Sequence, residues 1–349
     1  MSSSLSDGLD RREFLRRAGL LGLASFVFVG TDQLRAGGRN LRLPASIPSL
    51  SEPGVVTALT GGLGQLVAFL AAPEVTVWGY SAGEAAWSML ADASNFPGET
   101  AISGAVMLDG RTLAVGSSQE HVSHYTVIDE TGTSVDEYPH RSIPLITFSE
   151  DGVRWEIALH DTLGAASAAL YGVAPFPDGS LLAVGSEFTE VDVTEHRDFF
   201  AVLSVDAGNT WERIDLDGLA PIYHGQPTAM ARVGESVLLV NLSLHWTDLY
   251  VASRPQSWTA VEPPSRSTSP TSFLGIASLE DLWILSGIDQ SFRLHFWVSS
   301  PVGGSRRWIE IPRPIAGAST IVTDLLDWEG TLIAAGAKEE APLVTPVEV

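Results

Sequence analysis

Short apolar segments alternate with tight turns along the chain, and the same order of segments recurs six times after residue 54. Each period has an apolar strand, a turn rich in Gly, Asp or Glu, a second apolar strand, a third strand, a turn that ends near a Trp, and a short fourth strand. The second strands read LAVG at residues 113–116 and 182–185, and IAAG at 333–336. Continuous apolar runs of this length are typical of strands with both faces buried.

Four strands in a period of about fifty residues predict a β-propeller. We expect an all-β fold, a six-bladed β-propeller of four-stranded antiparallel blades. The predicted blades are residues 54–92, 101–160, 165–217, 227–263, 271–313 and 319–349. The sixth lacks a fourth strand, which the alternating segment 40–44 supplies, so that an N-terminal strand closes the ring. A β-sandwich also has many short strands but gives no reason for this order to recur. A miscounted blade would lie in the long second period.

A basic segment and an apolar run precede the repeats. Arg11, Arg12, Phe14 and Leu15 are followed by an apolar stretch at 18–30 that is short for a membrane span. This segment resembles a twin-arginine (Tat) export signal, which implies passage of the folded chain through the Tat translocase to an extracellular, cell-wall or periplasmic location. We predict a signal at 1–37, with cleavage near Ala36, and one propeller domain at 38–349. An uncleaved signal would remain as a membrane anchor.

The absence of cysteine excludes two covalent features, and the net charge argues against two classes of partner. The net charge is −22, and the chain contains no cysteine. Disulfides and a lipidated cysteine are therefore excluded. Because a surface of this sign repels nucleic acid and anionic membranes, we predict neither as a partner, and we expect a protein or carbohydrate ligand.

One turn carries a complete motif, formed by Ser204, Asp206, Gly208 and Trp211. Asp206 can accept hydrogen bonds from the N–H groups of the turn, Gly208 can adopt positive φ, and Trp211 can pack beneath the loop. Four partial copies end at other tryptophans: Trp87, Trp155, Trp258 and Trp308.

These residues match the pattern Ser-x-Asp-x-Gly-x-x-Trp and resemble the Asp box of the BNR repeat, which occurs in sialidases and other β-propellers. The resemblance implies a sialidase-like fold. It also implies that the boxes lie on the face away from the family's catalytic centre, so they carry no catalytic role to this chain.

Connectivity predicts which face carries candidate binding residues. In an antiparallel blade, the first–second and third–fourth turns share one face, and the remaining connections share the other. The second face carries the candidate ligand-binding residues: His121, His124, His160, His196, Arg197, Tyr223, His224, His245, Trp246, Arg293 and His295. Their spacing fixes no metal site, so we predict no metal and no cofactor. The acidic run at 187–198 lacks the order of a calcium loop, and we expect it to form a solvated loop.

Three functions are consistent with the sequence. Sialidases carry an arginine triad, a Tyr–Glu nucleophile pair and an Asp that acts as the acid. The sequence shows no recognisable copy of this set. We therefore predict a non-catalytic binding or assembly module for a protein or a cell-envelope glycan. The alternatives are a divergent glycoside hydrolase, which needs two carboxylates across a cleft, and a metal-dependent enzyme that uses the histidines.

Overall fold

The computed structural model describes most of the chain beyond residue 46. The described residues are 47–50, 52–62, 64–121, 125–128, 134–137, 140–191, 194–217, 219, 226–242, 247–264, 272–280, 282–289, 291, 293–302, 305–311, 315, 320–339 and 341–347. Apart from one 3-10 turn at Ala93–Asn95, their regular structure is entirely β. The predicted all-β class is confirmed.

The strands form six sheets of antiparallel neighbours in the predicted blade order. Blade 1 contains β1 Val55–Gly62, β2 Gln65–Ala71, β3 Val75–Ser81 and β4 Ala86–Ala91. Blade 2 contains β5 Glu99–Leu108, β6 Arg111–His121, β9 His140–Ser149 and β10 Glu156–His160. Blade 3 contains β11 Ala168–Pro175, β12 Leu181–Val191, β13 Thr194–Ser204 and β14 Glu212–Arg213.

The second half of the chain repeats this plan. Blade 4 contains β15 Gln226–Val233, β16 Ser236–Leu242, β17 Thr247–Arg254 and β18 Ser257–Val261. Blade 5 contains β19 Ser272–Leu279, β20 Leu282–Ile288, β21 Leu294–Val302 and β22 Ser305–Ile311. Blade 6 contains β23 Thr320–Trp328, β24 Thr331–Lys338 and β25 Ala341–Val347 as its described strands. The predicted six-bladed propeller is confirmed.

The unusual length of the second period has a structural cause. An additional hairpin, β7 Tyr125–Ile128 and β8 Ser134–Glu137, stands between the second and third strands of blade 2 and pairs with itself in a separate two-stranded sheet. The long period is therefore one blade with an insertion, and it hides no seventh blade.

The first strand of each blade is the innermost strand of the ring. Consecutive first strands contact one another around the whole circle, and β23 of blade 6 contacts β1 of blade 1. Buried apolar side chains fill the spaces between neighbouring blades; Leu59, Tyr80 and Trp328, for example, belong to one cluster shared by blades 1 and 6. Burial of apolar area between blades is the main force that holds such a ring together.

Each innermost strand contains a bulge at the same position, where its pairing with the second strand shifts register. The bulge explains the glycine at the end of several second strands. A Cβ on Gly116 would lie 1.9 Å from Ala101 O, and one on Gly185 would lie 1.8 Å from Ala169 O. Since no side chain fits at that distance, glycine is required wherever the two backbones approach so closely.

The N-terminal predictions lie outside the described residues. These are the export signal at 1–37 and the closing strand at 40–44. The first described segment, 47–50, is already in the ring: Ile47 and Leu50 are buried in the cluster shared by blades 1 and 6, and Trp87 Nε1 donates to Pro48 O at 2.7 Å. In the part of the chain that the structure covers, no helix is long and apolar enough to cross a membrane.

The acidic run of blade 3 corrects one prediction. Residues 187–191 and 194–198 extend β12 and β13 into a long hairpin, in which Glu187 pairs with Asp198 and Glu190 with Glu195. The prediction of a solvated loop over this run was wrong. Ladder hydrogen bonds continue past the blade because the two strands are joined by a very short connection, which keeps their backbones in register.

Candidate functional site

Each blade presents two ends that differ in construction. We call the end with the first–second and third–fourth turns the turn face, and the opposite end the loop face. A contact between blades shows that both kinds of turn meet on the turn face. Arg111, at the start of β6, donates through Nη1 to Ala207 O at 3.2 Å and to Asn209 Oδ1 at 3.1 Å, both in the third–fourth turn of blade 3.

The turn at 204–211 is closed by hydrogen bonds among its own residues. Gly208 N donates to Ser204 Oγ at 2.8 Å, Thr210 N donates to Asp206 Oδ1 at 2.9 Å, and Trp211 Nε1 donates to Gly208 O at 3.0 Å. Hydrogen bonds from the Thr210 hydroxyl and N–H, and from the Ser204 hydroxyl, lower the pKa of Asp206 to about 2. Asp206 therefore organises the turn as a carboxylate.

The turn at 149–155 repeats this pattern with one residue fewer. Gly152 N donates to Ser149 Oγ at 2.8 Å, Arg154 N donates to Asp151 Oδ1 at 2.8 Å, and Trp155 Nε1 donates to Gly152 O at 3.0 Å. The backbone N–H groups of Arg154 and Val153 hold the pKa of Asp151 well below its usual value. The same kinds of hydrogen bond and the spacing of three residues from glycine to tryptophan are thus preserved, and the residue that is missing lies between the aspartate and the glycine.

One of the other three tryptophans bonds in the same way, and two bond elsewhere. In blade 4, Trp258 Nε1 donates to Pro255 O, three residues earlier, at 2.9 Å. Trp87 binds Pro48 O, and Trp308 Nε1 donates to Glu262 O at 3.0 Å. Three indoles therefore bond within their own turn, and two bond to a distant segment of the chain.

On the loop face, one connected group of described polar residues surrounds His295 in blade 5. His295 Nδ1 lies 2.7 Å from Glu310 Oε1, and its Nε2 lies 3.2 Å from Asp289 Oδ2. The imidazole also stacks on Trp297, with ring centroids 5.6 Å apart and an angle of 19° between the planes. Both ring nitrogens can donate to the two carboxylates only when the imidazole is protonated.

Asp289 is held in place by the short connection between β20 and β21. Its Oδ1 accepts hydrogen bonds from Ser291 N at 2.7 Å and from Arg293 N at 2.9 Å. Burial raises the pKa of Asp289, but the hydrogen bonds from Arg293 N, the His295 ring and Ser291 N together lower it below the usual value. The result is a fixed carboxylate beside an imidazole, and the exposed residue Arg293 lies two positions before that imidazole in the chain.

Further charge pairs join strands within blades 2 and 3. Arg213 Nη2 donates to Glu187 Oε1 at 2.8 Å, and its guanidinium lies over the ring of Phe200. Arg141 forms an ion pair with Glu120 between β9 and β6. Strand-borne polar groups therefore stand at fixed positions on at least three blades.

The structure locates three of the predicted binding residues in full: His160, Arg293 and His295. His160 Nε2 lies 2.7 Å from Ser118 Oγ at the loop face of blade 2, so it is separated from His295 by intervening blades. His121 lies at the end of β6, and His196 and Arg197 lie on β13. The remaining candidates are outside the described residues: His124, Tyr223, His224, His245 and Trp246.

Two members of the His295 group, Asp289 and Glu310, were not predicted. Asp289 had a local signal, because an Asp before a short polar connection often caps the turn through its own side chain. Glu310 had none, since only the pairing of β21 with β22 brings it to His295. Within the described part of the chain, no group of three or more His, Cys, Asp or Glu residues has a geometry that could hold a metal ion.

The fold defines a six-bladed β-propeller, and solved structures with this fold include glycoside hydrolases. A Hadza microbial sialidase superposes with a TM-score of 0.58 and 11% identity over 84% of this chain and 65% of its own. A Trypanosoma rangeli sialidase gives 0.55 and 13% over 93% of this chain and 58% of its own. The chain therefore spans about three fifths of each sialidase.

An α-L-arabinofuranosidase from Fusarium graminearum superposes with a TM-score of 0.56 and 15% identity, over 84% of this chain and 92% of its own. No protein-family model matches the chain, and no curated protein sequence does so either. At these identities, the likeness establishes a sialidase-like propeller fold and nothing about the reaction.

Proposed function

We propose that this chain is an exported β-propeller that binds a protein or a cell-envelope glycan on its loop face without catalysing a reaction. The His295 group carries the proposal. An imidazole stands between two carboxylates on the loop face, and the exposed residue Arg293 donates its backbone N–H to one of them. Rigidly held polar groups on the connections of a scaffold are the usual means of recognising a ligand.

The chemistry of this group fits a hydroxyl-rich or cationic ligand. Glu310 is about half exposed, and an ionised carboxylate accepts hydrogen bonds from hydroxyl or ammonium groups. The exposed Arg293 side chain can donate to ring or hydroxyl oxygens of a sugar. Carbohydrate hydroxyls satisfy both kinds of partner at once, and so do the side chains of a polar protein surface.

The proposed route of export rests on the twin-arginine segment. Arg11 and Arg12 would be read by the Tat translocase, and the folded propeller would be released outside the cytoplasm. We expect an Arg11→Lys/Arg12→Lys variant to remain in the cytoplasm while the wild-type chain is exported. Mass spectrometry of the exported chain would show whether the signal is removed near Ala36. Export of the double variant at the wild-type level would refute this route.

We further propose that the turns at 149–155 and 204–211 are Asp boxes in the sense of the BNR repeat. Their shared set of hydrogen bonds, from a Ser hydroxyl, an Asp carboxylate and a Trp indole, supports this. Both lie on the turn face, so a structural role for them agrees with a ligand on the loop face.

A glycan array and a crosslinking screen against cell-envelope proteins, both with the natively exported chain, test the binding function. We expect a specific glycan or protein whose capture is lost in His295→Ala and retained in Arg154→Ala. The control is apt because the Arg154 side chain is 88% exposed on the turn face. Capture that survives in His295→Ala, or a chain that captures nothing in either screen, would contradict the proposal.

The second candidate function is a divergent glycoside hydrolase, because solved propellers with this fold include sialidases and an arabinofuranosidase. Fluorogenic sialosides and α-L-arabinofuranosides distinguish the two functions. We expect no turnover above that of a blank preparation. Turnover that copurifies with the chain would replace the binding function with this one.

A further inference from the structure

The contact between the last and first blades contains a fully buried carboxyl group, that of Asp324 on β23. It follows the bulge that every innermost strand carries. The residues at the same position in the other five blades are small and apolar: Ala58, Gly104, Gly172, Ala229 and Gly275. A carboxyl group thus replaces a hydrogen or a methyl group at one blade contact out of six.

Asp324 binds the backbone of the neighbouring blade. Its Oδ2 accepts a hydrogen bond from Leu59 N on β1, and its Oδ1 has no hydrogen-bond partner among the described residues. The adjacent Thr323 donates through Oγ1 to Val56 O, also on β1. Two consecutive side chains of the last blade therefore hold the first blade by hydrogen bonds, and Glu329 Oε1 accepts another from Gly64 N at 2.7 Å in the same contact.

The described strands that pack against β23 place no positive charge beside Asp324. The strands β1, β19 and β20, which pack against β23, contain no ionisable side chain. On β24 the ionisable residue is Lys338, which pairs with Thr320 four positions away from Asp324, and on β21 it is His295 at the loop face. Asp327, on β23 itself, adds a second carboxyl rather than a cation.

Burial raises the pKa of Asp324 well above its usual value, although the N–H groups of Leu59 and Leu325 oppose this. An ionised carboxylate with one unpartnered oxygen in an apolar contact is strongly unfavourable. The neutral carboxyl group keeps the hydrogen bond from Leu59 N at a much smaller cost in free energy.

We propose that Asp324 is a proton-dependent latch: its neutral carboxyl joins blade 6 to blade 1, and its ionisation weakens this one contact of the ring. The folded state holds the proton more tightly than the unfolded chain does. The contribution of Asp324 to stability is therefore fully present below the ordinary pKa of an aspartic acid and is lost as the pH rises from about 4 through the raised pKa.

The variant Asp324→Asn tests the latch because it keeps the shape and the acceptor for Leu59 N but cannot ionise. At about pH 8 we expect its Tm to exceed that of the wild type by at least roughly 2 °C, the shift that about one pKa unit produces in a domain of this size. At about pH 4 the two Tm values should agree. A difference that is the same at both pH values would overturn the latch.

Hydrogen exchange locates the effect and does not depend on the variant folding. In the wild type, we expect protection of the amide of Leu59, corrected for intrinsic exchange, to fall with rising pH more than that of Ile276, which lies at the equivalent position on β19. In the Tm comparison, Asp327→Asn serves as the matched control for Asp324→Asn. Burial raises the pKa of Asp327 too, and its carboxylate binds Gly330 N within blade 6 rather than the contact with blade 1. Equal pH dependence at Leu59 and Ile276 would refute the proposal.

Discussion

The two faces of the propeller are stabilised by different kinds of contact. On the turn face, Ser204, Asp206 and Trp211 bond within one short loop, so sequence neighbours satisfy one another. On the loop face, His295 binds Glu310 on a different strand, fifteen positions away in the chain. The turns at 149–155 and 204–211 therefore derive their order from local sequence, whereas the contact between His295 and Glu310 depends on the fold.

This difference separates stability from recognition. Turns that pack an indole beneath themselves bury apolar area and contribute to folding. Ion pairs that remain partly exposed contribute little to stability but present charges at fixed positions. Removing a packed side chain from the turn face should therefore lower stability before it affects a ligand, and the reverse should hold for the loop face.

The largest expected effect is that of Trp211→Ala, which removes an indole that packs on the apolar cluster between blades 2 and 3. We expect a loss of about 2–4 kcal/mol in the free energy of unfolding, measured with urea. Val205→Ala, in the same turn but 76% exposed, should change it by less than about 0.5 kcal/mol. Equal losses in the two variants would show that the indole does not support the turn.

A smaller loss is expected from Arg111→Ala, which removes the contact between the turns of blades 2 and 3. The guanidinium lies 3.4 Å from the centroid of the Phe148 ring and donates to two oxygens of blade 3. We expect the variant to lose about 1–2 kcal/mol by urea unfolding. Arg154→Ala should have almost no effect, and a comparable loss there would mean that charge alone, rather than the contact, matters.

The pH dependence of Asp206→Asn sharpens the description of the turn face. Because the folded pKa is lowered from 3.8 to about 2, the carboxylate stabilises the fold above pH 3.8, and this contribution is lost as the pH falls through about 2. The Tm of the variant should therefore fall less than that of the wild type between about pH 5 and about pH 2. Glu150→Gln, a neighbour of the shorter turn, is the control, and parallel Tm curves for Asp206→Asn and the wild type would contradict this account.

Only a small change in stability is expected from His295→Ala on the loop face. Its two ion pairs are partly exposed, so we expect less than about 1 kcal/mol of lost stability. Thermal unfolding monitored by circular dichroism measures this. A loss as large as that of Trp211→Ala would show that the loop face also stabilises the fold, and the contrast between the faces would fail.

The sequence predicted those parts of the structure that depend on neighbouring residues. The turns at Asp109 and Gly330, the recurring second strands and the number of blades follow from local apolar patterns and turn chemistry. The sequence did not predict the hairpin of β7 and β8, nor the extension of β12 and β13 through an acidic run, because charge pattern alone does not reveal strand pairing.

The sequence also did not predict pairs of residues that only the fold brings into contact. Glu310 reaches His295 through the register of β21 and β22, and Asp324 reaches Leu59 across the closure of the ring. Neither pair has a fixed sequence spacing. His295 and Arg293 were identified because they follow the second strand of a blade, a position that connectivity assigns to the loop face.

One measurement tests the central claim most directly. It compares the affinity of the captured glycan or protein for Arg293→Ala with its affinity for the wild type and for Arg154→Ala. The account predicts that Arg293→Ala raises the Kd by roughly tenfold or more while its Tm stays at the wild-type value, and that Arg154→Ala changes neither quantity. Unchanged affinity in Arg293→Ala, or weaker binding in Arg154→Ala, would place the ligand away from the loop face and contradict the account.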